Sequence, residues 1–160
     1  MRARPAVAEQ SARVERPAWL VPASLALCLF GLAVSAYLSY EHVVQNATLT
    51  CLGGPGERSC LTVTTSAWAY LFGVPVAWLG LGYFIVMTVL CLPVVWRRPE
   101  PRLDHLRLGL AVLGLGMVLY LVWAELFRIH AICAWCTTVH VATFLLVGVV
   151  AIGQILSERS

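Results

Sequence analysis

The sequence predicts an all-α membrane protein: a bundle of four transmembrane helices with an outer loop carrying a cysteine pair. Two observations predict it first. Apolar residues make up 60% of the 160 and charged residues 12%, against roughly 45–50% and about 25% in soluble domains. Four segments are also long and uncharged enough to cross a hydrocarbon core of ~30 Å, which takes about 20 helical residues. A soluble core of this length cannot hide so much apolar surface, so lipid must act as part of the solvent.

A basic tail, residues 1–17, precedes a membrane domain expected over 18–157. The first span is expected at about 19–40, ending near the string AVSA at Ala36. Those small residues resemble a signal-peptide cleavage site. The apolar run from Trp19 is longer than a signal h-region, however, and its removal would leave three spans. The second span is expected at about 70–96, the third at about 108–127 and the fourth at about 133–156. Within lipid, backbone groups must bond inside their own segment, so each is expected to be helical. RRPEPR at 97–102 is a Pro-rich turn that cannot be helical throughout.

Orientation follows from arginine, the chain's basic residue throughout. Arg2, Arg4, Arg13 and Arg16 precede the first span, and Arg97, Arg98, Arg102 and Arg107 fill the connection between the second and third. Arg159 closes the chain, whereas the other side carries Arg58 and Arg128. The positive-inside rule puts both termini and the 97–107 loop in the cytoplasm. The net charge of +3 is small, and no nucleic-acid partner is expected.

That orientation sorts the six cysteines. Cys28 and Cys91 fall in apolar runs and read as small apolar fillers. Cys51, Cys60, Cys133 and Cys136 fall at the outer face, an oxidising compartment where disulfides persist. Cys51 and Cys60 lie in CLGGPGERSC, where Gly53, Gly54, Pro55 and Gly56 suit a mobile shuttle. A plain structural disulfide would account for that pair alone equally well. Cys133-Ala134-Trp135-Cys136 opens the fourth span, where the helix N-terminus favours a thiolate. Cys136 would lie one turn, ~4.5 Å, deeper than Cys133. One sulfur can then meet a water-side thiol and the other a lipid-soluble partner. Zinc is the competing use of four cysteines, but Cys51 and Cys60 have eight residues between them rather than two. No metal is expected.

Taken together, these residues resemble the bacterial members of the vitamin K epoxide reductase (VKOR) family, without a fused thioredoxin domain. The resemblance covers about 19–157: Cys51 and Cys60 in the first outer loop, Ser66 six residues after Cys60, FGVP at 72–75 opening span two, and CAWC at 133–136 opening span four. It implies a four-helix bundle around a quinone, menaquinone or ubiquinone, as electron acceptor. It implies that Cys136 exchanges electrons with the quinone, Cys133 with Cys60, and Cys51 with an outer DsbA-like thioredoxin-fold protein. Ser66 would hydrogen-bond a quinone oxygen as oxyanion donors do, and Phe72, Gly73 and His140 would complete the quinone site. Vertebrate relatives carry an Asn where this chain has Ala69 and a Tyr where it has His140, which argues against epoxide reduction. DsbB-type oxidases carry the two cysteine pairs in the reverse order.

The implied function is a thiol:quinone oxidoreductase that makes disulfides for exported proteins. The alternatives are quinone or vitamin K epoxide reduction proper and, in another class, a non-enzymatic membrane protein with structural disulfides. Glu125 and Arg128, spaced i,i+3, are expected to pair at the interface. His42 and His130 are expected to be interfacial, and His140 reads either as a satisfied bundle histidine or as a quinone contact.

Overall fold

A computed structural model describes residues 17–44, 57–98 and 100–158. The calls on the tail, on Cys51 and on the glycine-rich segment after it lie outside the described residues. Helix α1 spans Leu20–Val43, α2 Glu57–Thr64, α3 Val76–Leu90, α4 Pro93–Trp96, α5 Pro101–Ala124 and α6 Ala134–Glu158. A two-stranded hairpin, β1 Tyr70–Leu71 and β2 Val74–Pro75, precedes α3. The chain is mostly helical, and three stretches are long and apolar enough to cross a membrane: Leu20–Val43, Pro101–Ile129 and Ala134–Leu156. These helices make it a membrane protein in contact with the bilayer.

The expected second span is shorter than the sequence suggests. Its central helix, α3, has 15 residues. Tyr70 pairs with Pro75 and Leu71 with Val74 in antiparallel register. Phe72 and Gly73 form the turn between them, at φ 52° and 81°. Two consecutive positive φ angles are the mark of the tight hairpin turns that match strand twist. At the other end, the backbone leaves helix at Cys91 and Leu92 and resumes for one turn at Pro93, a residue suited to a helix start. Helix α5 likewise begins on a proline, Pro101.

Helix α1 packs against α3 and α6, and α5 packs against α6. The core joins Cys28 of α1, Phe84, Met87 and Leu90 of α3, Cys91, Ala111 of α5, and Leu146 and Val150 of α6. Gly31 lets the Phe84 ring lie against the α1 backbone, where a Cβ would collide with it. Cys28 and Cys91 are both fully buried in this core, in the place of small apolar fillers. Arg107, expected in a cytoplasmic loop, is instead inside α5 and 1% exposed. Its guanidinium lies 3.8 Å over the Trp96 ring, donates to the Leu90 carbonyl at 2.8 Å and pairs with Asp104 at 2.7 Å. Those partners compensate a buried charge that would otherwise be prohibitive.

Candidate functional site

The site forms where α2, the end of α5 and the start of α6 meet. Cys133 stands just before α6, and its carbonyl accepts the Thr137 N–H at 2.9 Å, the first bond of the helix. Its Sγ accepts the Cys136 N–H at 3.3 Å. The sulfur thus occupies the place of a capping oxygen, meeting one of the N–H groups that a helix start leaves without a partner. The Cys133 thiol is held below its ordinary pKa, first by its hydrogen bond with the Cys136 thiol and then by the Cys136 and Trp135 N–H groups, against burial and the charge of Glu125.

The two cysteines of CAWC face different neighbours. Cys133 is fully buried in a cluster with Cys60 and Val63 of α2, flanked by Ile129, Ala131 and Trp135. Cys60 is in a disulfide whose other half lies outside the described residues. Cys136, one turn on, lines a cavity of about 320 Å³. The cavity lies between α1, α3, α5 and α6, and its walls are largely apolar: Leu38, Leu79, Phe84, Met117, Leu121 and Val139. Polar and titratable side chains join Cys136 there, among them His42, Ser66, Glu125 and His140.

The sequence-predicted site residues divide into three groups. Cys60 and Cys133 are together, while Cys136, Ser66 and His140 share the cavity. Ser66 Oγ donates to the Val63 carbonyl at 2.8 Å, so its hydroxyl must turn to donate elsewhere, while its lone pairs stay available. His140 is 7% exposed and makes no hydrogen bond among the described residues, so the satisfied-histidine reading does not hold there. Phe72 and Gly73 are not in the cavity wall. As the central residues of the hairpin turn they point away from the sheet, and Phe72 is 97% exposed.

Glu125 was read in sequence as half of an interfacial ion pair. Instead it is 5% exposed and lines the cavity. No ion pair joins it to Arg128, whose guanidinium lies 5.3 Å from the ring centres of both Trp68 and Trp123. The cause is local. Glu125–Ile129 is a π-helical turn, closed by an Ala131 N–H bond to the Glu125 carbonyl and ended by His130 in the left-handed conformation. A wider turn rotates the side chains off their α-helical spacing, so the i,i+3 expectation fails. A carboxylic acid in an otherwise uncharged span was the available signal, since such residues are costly in membranes and mark function. His42, expected at the interface, also lines the cavity, where its ring lies within 3.3 Å of the Tyr70 hydroxyl.

Fold and site define a membrane dithiol protein: a helix-capping cysteine pair between a buried disulfide cysteine and an apolar cavity. The sequence matches the Vitamin K epoxide reductase family over residues 22–151. The chain belongs to that family, whose chemistry is quinone-linked disulfide oxidoreduction. An apolar cavity of this volume with a few convergent polar groups lies within the range of small-molecule sites.

Proposed function

We propose that this chain is a thiol:quinone oxidoreductase that reoxidises a DsbA-like thioredoxin-fold protein outside the bacterial cytoplasmic membrane. The observation that carries the reading is the division of CAWC, with Cys133 packed on Cys60 and Cys136 opening on the apolar cavity. Residues 18–157 act as one four-span membrane domain behind a cytoplasmic tail, with α3 as the fourth crossing and the cysteines at the outer face.

Cys51 receives the partner's thiolate and passes the exchange to Cys60. The Cys60 thiolate then attacks Cys133, and Cys136 leaves and takes up a proton. The partner's second thiolate frees Cys51, which attacks Cys60 and releases Cys133, whose thiolate the helix N-terminus favours. A quinone, when bound, supplies the two-electron oxidising power that returns CAWC to the disulfide. Ser66 and His140 orient its ring by hydrogen bonds, and the apolar walls exclude water from the exchange. Phe72 and Gly73 shape the hairpin beneath the cavity entrance rather than touching the ring. His140 and Ala69 differ from the epoxide-reducing pattern, which favours quinone over epoxide as acceptor.

The test is complementation of a bacterial strain lacking its disulfide-generating oxidase, together with turnover of purified protein on quinone and on vitamin K epoxide. Restored disulfide formation that needs all four cysteines supports the reading. Failure of quinone-dependent thiol oxidation by folded protein overturns it. A purely structural protein would lose only stability on substitution of Cys133 or Cys136.

A further inference from the structure

We infer that Glu125 is the proton carrier between the CAWC thiols and the cavity, a role that rests on the quinone-linked reading above. Three observations place it there. Its carboxyl is buried at the cavity wall, on the same surface as Cys136 and His140. It has no ion-pair partner among the described residues, because Arg128 is taken up by Trp68 and Trp123. It stands on a π-helical turn, a distortion that recurs at functional positions and here aims an acid inward at the end of α5. Its charge also bears on both Cys133 and Cys136.

The chemistry requires such a group. Oxidising two thiols to one disulfide releases two electrons and two protons. A bound quinone would accept both, its two oxygens becoming hydroxyls, in a cavity with largely apolar walls. The Glu125 carboxylate takes the proton of the Cys136 thiol, which shares the cavity wall with it, as Cys133 closes on that sulfur. The proton of Cys133 leaves when its thiolate forms, and an equivalent proton reaches the second ring oxygen. The carboxyl then releases the proton into the cavity, toward a ring oxygen, and the carboxylate is restored. No external oxidant or base beyond the quinone is needed.

Several titratable groups face the same space and must be separated from Glu125 in any test. Cys136 and His140 approach from α6, His42 from α1 and Tyr83 from α3, while Cys133 stands behind them against Cys60. Arg128, on the same π turn, is directed to the tryptophans.

The experiment compares wild type, Glu125→Gln and Glu125→Asp in purified full-length protein. With quinone, Glu125→Gln should lower kcat by ~10²-fold, the usual weight of a general acid–base group, with KM little changed. It should also erase one limb of the kcat–pH profile, and Glu125→Asp should recover part of both. The second measurement needs no quinone: the pH midpoint for iodoacetamide alkylation of the reduced CAWC pair. Removing a neighbouring negative charge eases thiolate formation, so that midpoint should move to lower pH in Glu125→Gln. Dithiothreitol exchange at the Cys60 disulfide should stay at the wild-type rate, which shows the fold intact. An unmoved midpoint, or a moved midpoint with unchanged kcat and pH profile, overturns the role of Glu125. Absence of quinone turnover in wild type overturns the quinone reading itself.

Discussion

Replacing Gly31 with Ala puts a methyl group where the Phe84 ring lies. The added Cβ would overlap three atoms of that ring, and Phe84 is 1% exposed with little room to retreat. Overpacking a filled core costs ~1–3 kcal/mol, and three overlapping atoms put this case at the upper end. Ala gains ~1 kcal/mol over Gly in helix propensity, which leaves a net loss of ~2 kcal/mol. For a chain of this size that lowers the melting temperature by ~4–8 °C. The assay is built into the protein, since Cys28 and Cys91 are both fully buried and react with a thiol-sensitive dye only on unfolding. Phe84→Ala alone should cost ~3–5 kcal/mol. In the double variant the clash has vanished, so its loss should fall short of the sum by ~2–3 kcal/mol. Additivity within ~0.5 kcal/mol would refute the contact as the basis of α1–α3 packing. Phe84 also lines the cavity, so Gly31→Ala should raise KM for the quinone acceptor while leaving exchange at Cys60 unchanged.

Four further outcomes are expected. Cys136→Ala should accumulate a Cys60–Cys133 disulfide, read by non-reducing mass spectrometry of membranes; if Cys136 links to Cys60 more readily than Cys133 does, the roles within CAWC are reversed. Arg107→Met should cost ~3 kcal/mol by removing the guanidinium that bonds Asp104 and the Leu90 carbonyl. Adding Asp104→Asn should recover part of that loss in the same dye melt. The double variant Cys28→Ala/Cys91→Ala removes two fully buried thiols and should keep nearly full quinone-dependent activity; a large loss in folded protein would give that pair a redox role. A periplasm-active reporter fused near Gly54 should be active and one near Glu100 inactive, and the opposite pattern would reverse the membrane orientation.

Much of the helical layout was legible because apolar length is written directly into the chain. The long runs after Trp19 and Cys133 became α1 and α6 with ends close to expectation. The start of α3 was not legible in that way. Nothing in the hydropathy of YLFGVP marks a hairpin, and a non-glycine residue at positive φ, as at Phe72, is chosen by the fold rather than by composition. Arg107 was misplaced because a charge in sequence reads as water-facing, and only Trp96 and the Leu90 carbonyl, brought in by α3 and α4, allow it inside. The helix carrying Cys60 has eight residues, too few to show a period. At the site, CAWC announced itself by spacing, and the family pattern pointed to Ser66 and His140. Glu125 escaped because a π turn cannot be anticipated from i,i+3 arithmetic.

The brevity of α3 has a consequence for the surrounding lipid. Fifteen residues span ~22 Å, some 8 Å less than a typical hydrocarbon core, while the neighbouring α1 has 24 residues. Such a mismatch is met by thinning the bilayer or by drawing interfacial side chains toward the helix ends. The hairpin satisfies part of its backbone across β1 and β2, and exposed Phe72 and Tyr70 suit the headgroup boundary. On the four-span reading proposed above, the bilayer is expected to thin on the flank where α3 forms the cavity wall. A quinone ring diffusing near the bilayer midplane would then have a shorter climb to Cys136 from that flank.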